Sequence, residues 1–200
     1  MRPLTGLGRS ERQWADVRLE LYRQGRDFLL ARGYRQVSMR MFRLARLGPE
    51  AGPVYRCQED GMVGLGTGAR SYTRDVHYAT PYAVGRDGVL EVIRKWVGST
   101  DEELATARHG IRLGAEDQRR RYAILSLLAD GLDFADYRAR FGTEALADMP
   151  ELADLVTLGL GVSSDGRLVL DATGVERSDA IGPWLCSARV RGLMDTWERH

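Results

Sequence analysis

Three glycines at alternate positions, in residues 64–68, constrain this chain more than any other feature of its sequence. The segment 64–71 reads GLGTGARS, and Met62 and Val63 run directly into it. Alternate glycines leave one edge of the backbone without side chains, so a flat or charged ligand can approach the main chain closely. The spacing is neither the dinucleotide fingerprint nor a P-loop. Two interpretations therefore stay open: a binding loop after a short strand, or a tight turn that needs positive φ angles.

Composition limits the class of protein. The chain has 200 residues, of which 44% are hydrophobic, which is enough for a buried core. A net charge of +1 gives no general attraction to nucleic acid or to anionic membranes. No apolar stretch approaches the roughly 20 residues that span a bilayer, and the N-terminus does not have the pattern of a signal peptide. Two cysteines do not make a disulfide scaffold, so we expect a cytoplasmic protein.

The first part of the chain has the pattern of helix followed by strand. Residues 10–13 have the form of a capping box, apolar residues then recur at helical spacing, and Gly33 ends the predicted helix. Residues 34–42 alternate between apolar and polar side chains, which predicts one strand with two unlike faces. Helix followed by strand is the repeating unit of a parallel α/β barrel. We therefore expect residues 1–114 to be the last part of such a barrel.

The second part, residues 115–200, is predicted to be a small domain rich in helices. An Asp-Gly pair at 165–166 predicts a hairpin. Three helices, this hairpin and a final helix together resemble a winged-helix domain. The fold class is therefore α+β. The predicted elements are helices at 117–129, 134–141 and 143–158, a hairpin at 161–170 and a helix at 173–199.

The order of the segments matters more than any one of them. The chain begins with RPLTGL at residues 2–7, continues through the helix and the segment 33–43, and then has Tyr-x-x-Gln-x-Asp at 55–60. The glycine-rich segment and the helix-rich tail follow. This series resembles the C-terminal half of the oxygen-independent coproporphyrinogen III oxidase family, whose members are radical S-adenosylmethionine (SAM) enzymes. The resemblance covers nearly the whole chain and implies a partial-barrel remnant followed by a winged-helix-like domain.

The resemblance implies a set of ligand-binding residues. In the family, the glycine-rich loop and the strand before it lie beside the pocket for SAM and substrate. Backbone amides and a guanidinium there can bind a carboxylate of SAM or of a propionate. Carried over to this chain, the cofactor-binding residues are Gln58, Gly64, Gly66, Gly68, Ala69, Arg70 and Ser71.

The predicted strand at 34–42 and the residue after it carry the candidate substrate-binding residues, Arg40 and Arg43. On a strand these two lie on opposite faces, so at most one lines the pocket. Family members that oxidise coproporphyrinogen have a His at the position of Met41. Methionine cannot donate a proton, so the substrate is open: a tetrapyrrole or another small molecule.

Cysteine content sets this chain apart from a complete family member. The family's Cys-x3-Cys-x2-Cys, which binds a [4Fe–4S] cluster, lies in the N-terminal half of the barrel. This chain has only Cys57 and Cys186, and its three histidines are scattered. We therefore expect a C-terminal portion that lacks its N-terminal barrel half. SAM and the cluster would belong to the complete protein, and we assign this chain no catalytic residue and no metal ligand.

Three classes of function follow from the resemblance. The first is part of a radical SAM oxidoreductase, in which SAM cleavage leads to hydrogen abstraction from a propionate arm and loss of CO2. The second is a haem- or tetrapyrrole-binding or trafficking module without catalysis. The third is a winged-helix nucleic-acid binder, which needs a basic recognition helix. Acidic residues dominate the predicted third helix and argue against nucleic acid: Glu144, Asp148, Glu151 and Asp154.

Overall fold

The computed structural model describes residues 12–48 and 60–196, and these divide into two compact units. The first unit consists of residues 12–48, which we call the arm, and residues 119–191, which we call the body. The second contains residues 60–118, which we call the loop unit, and residues 192–196. The domain limits 1–114 and 115–200 stay a prediction. None of the described helices has the length and apolar character that crossing a bilayer requires.

The arm is a helix followed by a short hairpin. Helix α1 spans Arg12–Leu30, and Gly33 adopts a φ of 80° after it. Strands β1 (Tyr34–Gln36) and β2 (Phe42–Leu44) are antiparallel, and a 3-10 turn spans Ala45–Leu47.

The single strand predicted for residues 34–42 is therefore wrong. The chain reverses between β1 and β2, where the Val37 amide donates to the carbonyl of Met41 at 2.8 Å. Alternation of apolar and polar residues is the same in one long strand as in two short strands joined by a turn. Only the backbone hydrogen bonds of the turn distinguish the two cases.

The loop unit contains an antiparallel three-stranded sheet in the order β3-β4-β5. Its elements are β3 (Arg70–Tyr72), β4 (Val76–Ala79), α2 (Arg86–Val97), α3 (Asp101–Leu104) and β5 (His109–Arg112). Every strand pair in the described residues is antiparallel, so the parallel pairing predicted for a barrel is not found there. The short connection between β3 and β4 explains this, because parallel neighbours need a long crossover.

Apolar side chains in the loop unit are largely uncovered. Tyr72 is the one hydrophobic residue of the described loop unit that is buried, and α2 buries none. Val63, Leu65 and Val84 are 72%, 87% and 77% exposed. Contiguous apolar surface is typical of a face that packs against another protein segment, and these residues are candidates for such a face.

The body packs short helices against a small antiparallel sheet in the order β6-β8-β7. The predicted hairpin is confirmed: Asp165 and Gly166 have φ angles of 51° and 75°, as a two-residue hairpin turn requires. The elements are α4 (Ala115–Ala129, which begins in the loop unit), β6 (Leu132–Asp133), α5 (Phe134–Phe141), α6 (Ala145–Asp148), α7 (Leu152–Thr157), β7 (Gly161–Ser164), β8 (Arg167–Leu170), α8 (Ala172–Val175), α9 (Ser178–Leu185) and α10 (Ala188–Thr196, which extends past the body).

Two of the predicted helices are divided in the structure. The helix predicted at 143–158 is interrupted at Met149, whose ψ of 75° is not helical, because Pro150 follows it. The helix predicted at 173–199 is three helices, and one break lies at Cys186, which is extended at ψ 151°. Pro183 lies inside α9, three residues before that break.

A single apolar core holds the body together. Tyr137 lies at its centre with no exposed surface, and its ring packs against Tyr122 and Phe141 at centroid distances of 6.1 and 4.9 Å. All of the core residues come from the last two fifths of the chain. They are Ala123, Leu127, Leu132, Tyr137, Ala145, Met149, Leu152, Leu155, Leu160, Leu168, Leu170, Ile181 and Leu185.

The buried hydroxyl of Tyr137 has a charged partner. It donates to Asp148 Oδ2 at 2.8 Å, and Thr143 Oγ1 donates to the same oxygen at 2.6 Å. Burial opposes charge on Asp148, but these two hydrogen bonds and the nearby Arg119 and Arg120 outweigh it and lower its pKa. Burial and the bond to Asp148 raise the pKa of Tyr137.

We expect Asp148→Asn to destabilise the protein by about 1–3 kcal/mol at neutral pH, since it weakens two hydrogen bonds to a charged acceptor. The folded-state pKa of Asp148 is lowered, so its contribution is present above the ordinary aspartate pKa of about 4 and is lost as pH falls through the folded value. Urea unfolding of both proteins at pH 7 and pH 3 measures the effect. An equal stability gap at the two pH values would contradict it.

Candidate functional site

The glycine-rich loop uses its three glycines for two different physical reasons. Gly66 and Gly68 have φ angles of 101° and 70°, which side chains rarely adopt. Gly64 is needed for space, because a Cβ there would lie 2.4 Å from the carbonyl oxygen of Arg70. The turn interpretation is therefore sufficient to explain all three glycines.

Most of the loop amides predicted to bind a ligand are already hydrogen-bonded within the loop unit. The Gly64 amide donates to Ser71 Oγ at 3.0 Å, and the Gly68 amide donates to the carbonyl of Pro81 at 3.0 Å. The Ala69 amide donates to Thr80 Oγ1 at 2.9 Å. A ligand carboxylate would have to break these bonds to use the same amides.

Thr80 is the main side-chain hydrogen-bond partner of the loop, and no sequence pattern indicated this role. Its hydroxyl donates to the Gly66 carbonyl at 2.6 Å and accepts from the Ala69 amide, while its own amide donates to the Ala69 carbonyl at 3.0 Å. A threonine at the end of a strand gives no local signal of this role. Its partners precede it by 14 and 11 residues.

Two features of the loop remain open to a ligand. The side of Gly66 where a Cβ would stand has no atom within 4 Å, and Arg70 is exposed at the start of β3. Ser71 is buried with 2% exposure and is engaged with Gly64. Gln58 lies outside the described residues. Among the described members of the predicted set, Gly66 has open space beside it and Arg70 is exposed, and ligand binding by the set stays a prediction.

The candidate substrate residues Arg40 and Arg43 belong to the arm, not to the loop unit. Arg40 lies in the turn between β1 and β2, and its Nη2 forms an ion pair with Asp179 Oδ2 at 2.5 Å. The hydrogen bond to Asp179 raises the pKa of Arg40. Arg43 lies in β2 and pairs across the hairpin with Arg35. Their predicted placement on opposite faces of one strand is wrong, because a turn separates them.

An iron–sulfur cluster does not fit the residues of this chain. Cluster binding needs several thiolates at one place, and the whole sequence has two cysteines. Cys186 donates to the Gly182 carbonyl at 3.6 Å, and Cys57 lies outside the described residues. Within residues 12–48 and 60–196 there is no group of three or more His, Cys, Asp or Glu that could hold a metal ion.

Comparison with known proteins confirms the predicted resemblance. Residues 113–176 match the model of the HemN C-terminal domain. The fold is similar to that of coproporphyrinogen III oxidase (HemN) from Escherichia coli, a radical SAM enzyme, with a TM-score of 0.61 and 21% identity. The match covers 84% of this chain and 41% of that protein, so this chain spans about two fifths of its length. The comparison with curated proteins gives no match.

We expect Thr80→Val to destabilise the loop by about 1–2 kcal/mol, because it leaves two loop groups without their partner at nearly constant side-chain volume. Thr80→Ser keeps the hydroxyl and is the matched control. Hydrogen exchange of peptides covering residues 62–72 should become faster in Thr80→Val and stay close to wild type in Thr80→Ser. Equal exchange in all three proteins would show that Thr80 does not hold the loop.

Proposed function

We propose that this chain supplies the C-terminal part of a radical SAM oxidoreductase of the HemN type. The observation that carries the proposal is the match of 84% of this chain to 41% of HemN, together with the HemN C-terminal domain match at residues 113–176. The reaction class would be the oxidative decarboxylation of propionate side chains. The alternative is a tetrapyrrole-binding module that performs no chemistry.

The cofactors would be held mainly by the N-terminal half of such an enzyme. The cluster does not fit the cysteines of this chain, so we assign no step of the reaction to it here. For SAM, the open backbone at Gly66 and the exposed guanidinium of Arg70 are the groups left to contact a carboxylate. The role of this chain would be to position ligands and to exclude water.

The set of groups proposed to bind a substrate is smaller than the set that the sequence predicted. Arg40 would have to leave Asp179 before it could bind a propionate. Met41 beside it is 57% exposed and offers a soft apolar contact to a flat macrocycle. The substrate class is therefore a tetrapyrrole or another apolar molecule that carries carboxylates.

The exposed apolar residues of the loop unit support a covering partner. Leu65 and Val84 stand almost fully exposed, and α2 has no buried residue. A half-protein with the Cys-x3-Cys-x2-Cys motif would cover apolar surface that a soluble protein rarely leaves open over a large area.

Co-expression with the N-terminal half of a HemN-type protein tests the proposal. We expect a stable complex that binds about four iron atoms after anaerobic reconstitution and cleaves SAM to 5′-deoxyadenosine. Leu65→Asp should abolish the complex, because the side chain is 87% exposed and is expected to lie in the contact. Val162→Asp, which alters a side chain of the body that is 57% exposed, is the matched control and should assemble normally.

Two outcomes would contradict the proposal. A half-protein that binds its cluster but never associates with this chain would remove the enzyme assignment. Micromolar binding of hemin by the isolated chain, with a shifted absorption band and no association, would support the trafficking module in its place.

A further inference from the structure

The arm contacts the body through polar groups. No described side chain from residue 17 to residue 48 is buried. The body core and the residues packed against it all lie between residues 122 and 185. The apolar core of the body is therefore complete without the arm. The side-chain hydrogen bonds that join arm and body are between charged groups.

Glu176 forms the first of these contacts. It follows α8, and its side chain is only 4% exposed. Arg23 Nε of α1 donates to Glu176 Oε2 at 2.8 Å, and Arg23 Nη2 donates to Glu176 Oε1, so the pairing is bidentate. Arg26 Nη1 lies 3.4 Å from Glu176 Oε2. A carboxylate that is buried and paired in this way is costly to leave without its partners.

A second contact joins the hairpin of the arm to α9. It is the ion pair between Arg40 and Asp179, whose side chains are 76% and 56% exposed. Exposed pairs of this kind contribute little and are screened by salt. Glu176 is therefore the residue that decides whether the arm stays in place.

We propose that the arm is a latched element: it opens away from the body as a unit when the charge of Glu176 is lost, while the body stays folded. This inference does not depend on the proposed function. Opening removes ion pairs and exposes none of the body's apolar core, so we expect the ion pairs to dominate its free-energy cost.

The charges around Glu176 favour opening of the arm when the negative charge of Glu176 is lost. Arg23 and Arg26 face it from α1, Asp27 lies beside Arg26 at 2.8 Å, and Arg177 is its neighbour in sequence. The hydrogen bond from Arg23 and these positive charges lower the pKa of Glu176 against the opposing effect of burial. Without the carboxylate, Arg23, Arg26 and Arg177 lose the acid that all three act on, and Asp27 remains beside Arg26.

The consequence for α1 is measurable, because most of the stability of a helix in a protein comes from tertiary packing. Release of the arm should therefore allow α1 to fray. The experiment is hydrogen exchange followed by mass spectrometry on the full chain at neutral pH. It compares wild type, Glu176→Gln and Glu176→Arg with Glu151→Gln, which removes a carboxylate paired with Arg120 within the body.

We expect exchange over residues 17–30 to become about tenfold faster in both Glu176 variants, with residues 123–141 unchanged. Glu151→Gln should leave residues 17–30 as in wild type. Glu176→Arg combined with Arg23→Glu should restore slow exchange in α1, because it rebuilds the pair with exchanged charges. Rescue by this double variant is the readout that a merely structural role for Glu176 would not give.

The proposal is overturned by any of three results. Exchange in α1 could be the same in wild type and both Glu176 variants, which would show that Glu176 does not hold the arm. Exchange could rise equally in residues 123–141, which would show that arm and body unfold together. The double variant could exchange as fast as Glu176→Arg, which would show that the pairing with Arg23 is not the cause.

Discussion

The buried phenol of Tyr137 is the constraint on which the body depends. A hydroxyl at zero exposure must have a hydrogen-bond partner, and Asp148 supplies it from the end of α6. The same carboxylate binds Thr143, so one charge fixes the angle between α5 and α6. Arg120 adds further polar contacts within the body, because it donates to Glu151 and to the carbonyl of Leu185. The apolar side chains of the core pack around Tyr137.

The loop unit, in contrast, is held by hydrogen bonds more than by buried apolar side chains. Its sheet and loop are held by backbone hydrogen bonds and by bonds to the hydroxyl groups of Thr80 and Ser71, with little apolar burial beyond Tyr72. Hydrogen bonds alone contribute a modest net free energy, so such a unit depends on cover from elsewhere. This dependence agrees with a chain that spans about two fifths of the structure it resembles. The uncovered apolar residues of the loop unit support the covering partner in the proposed function, which itself rests on the match to HemN.

Features set by neighbouring residues could be predicted from the sequence. The Asp-Gly pair at 165–166 gave the hairpin, and Gly33 marked the end of α1, because each needs only local backbone geometry. The helix breaks at Pro150 and near Pro183 also depend on neighbouring residues, but they were not predicted. The helical spacing of apolar residues continues across both breaks.

Features set by distant residues could not be predicted. The pairing of Arg23 with Glu176 joins positions 153 residues apart, and no local pattern indicates it. In the candidate site, the positive φ angles of Gly66 and Gly68 follow from the glycine spacing. The hydrogen bonds from the loop amides to Thr80 and Pro81 do not follow from that spacing. They depend on how the chain returns to the loop after β4. The resemblance indicated a mixed fold of helices and sheet, and only the structure showed which loop amides are already hydrogen-bonded.

The central claim is that the body has a complete core of its own and the loop unit does not. Limited proteolysis of the full chain, with the fragments identified by mass spectrometry over time, tests it most directly. We expect early cleavage within residues 60–112 while a fragment covering residues 119–185 survives, since cleavage follows local opening. Simultaneous loss of both segments, or a loop unit as resistant as the body, would contradict it.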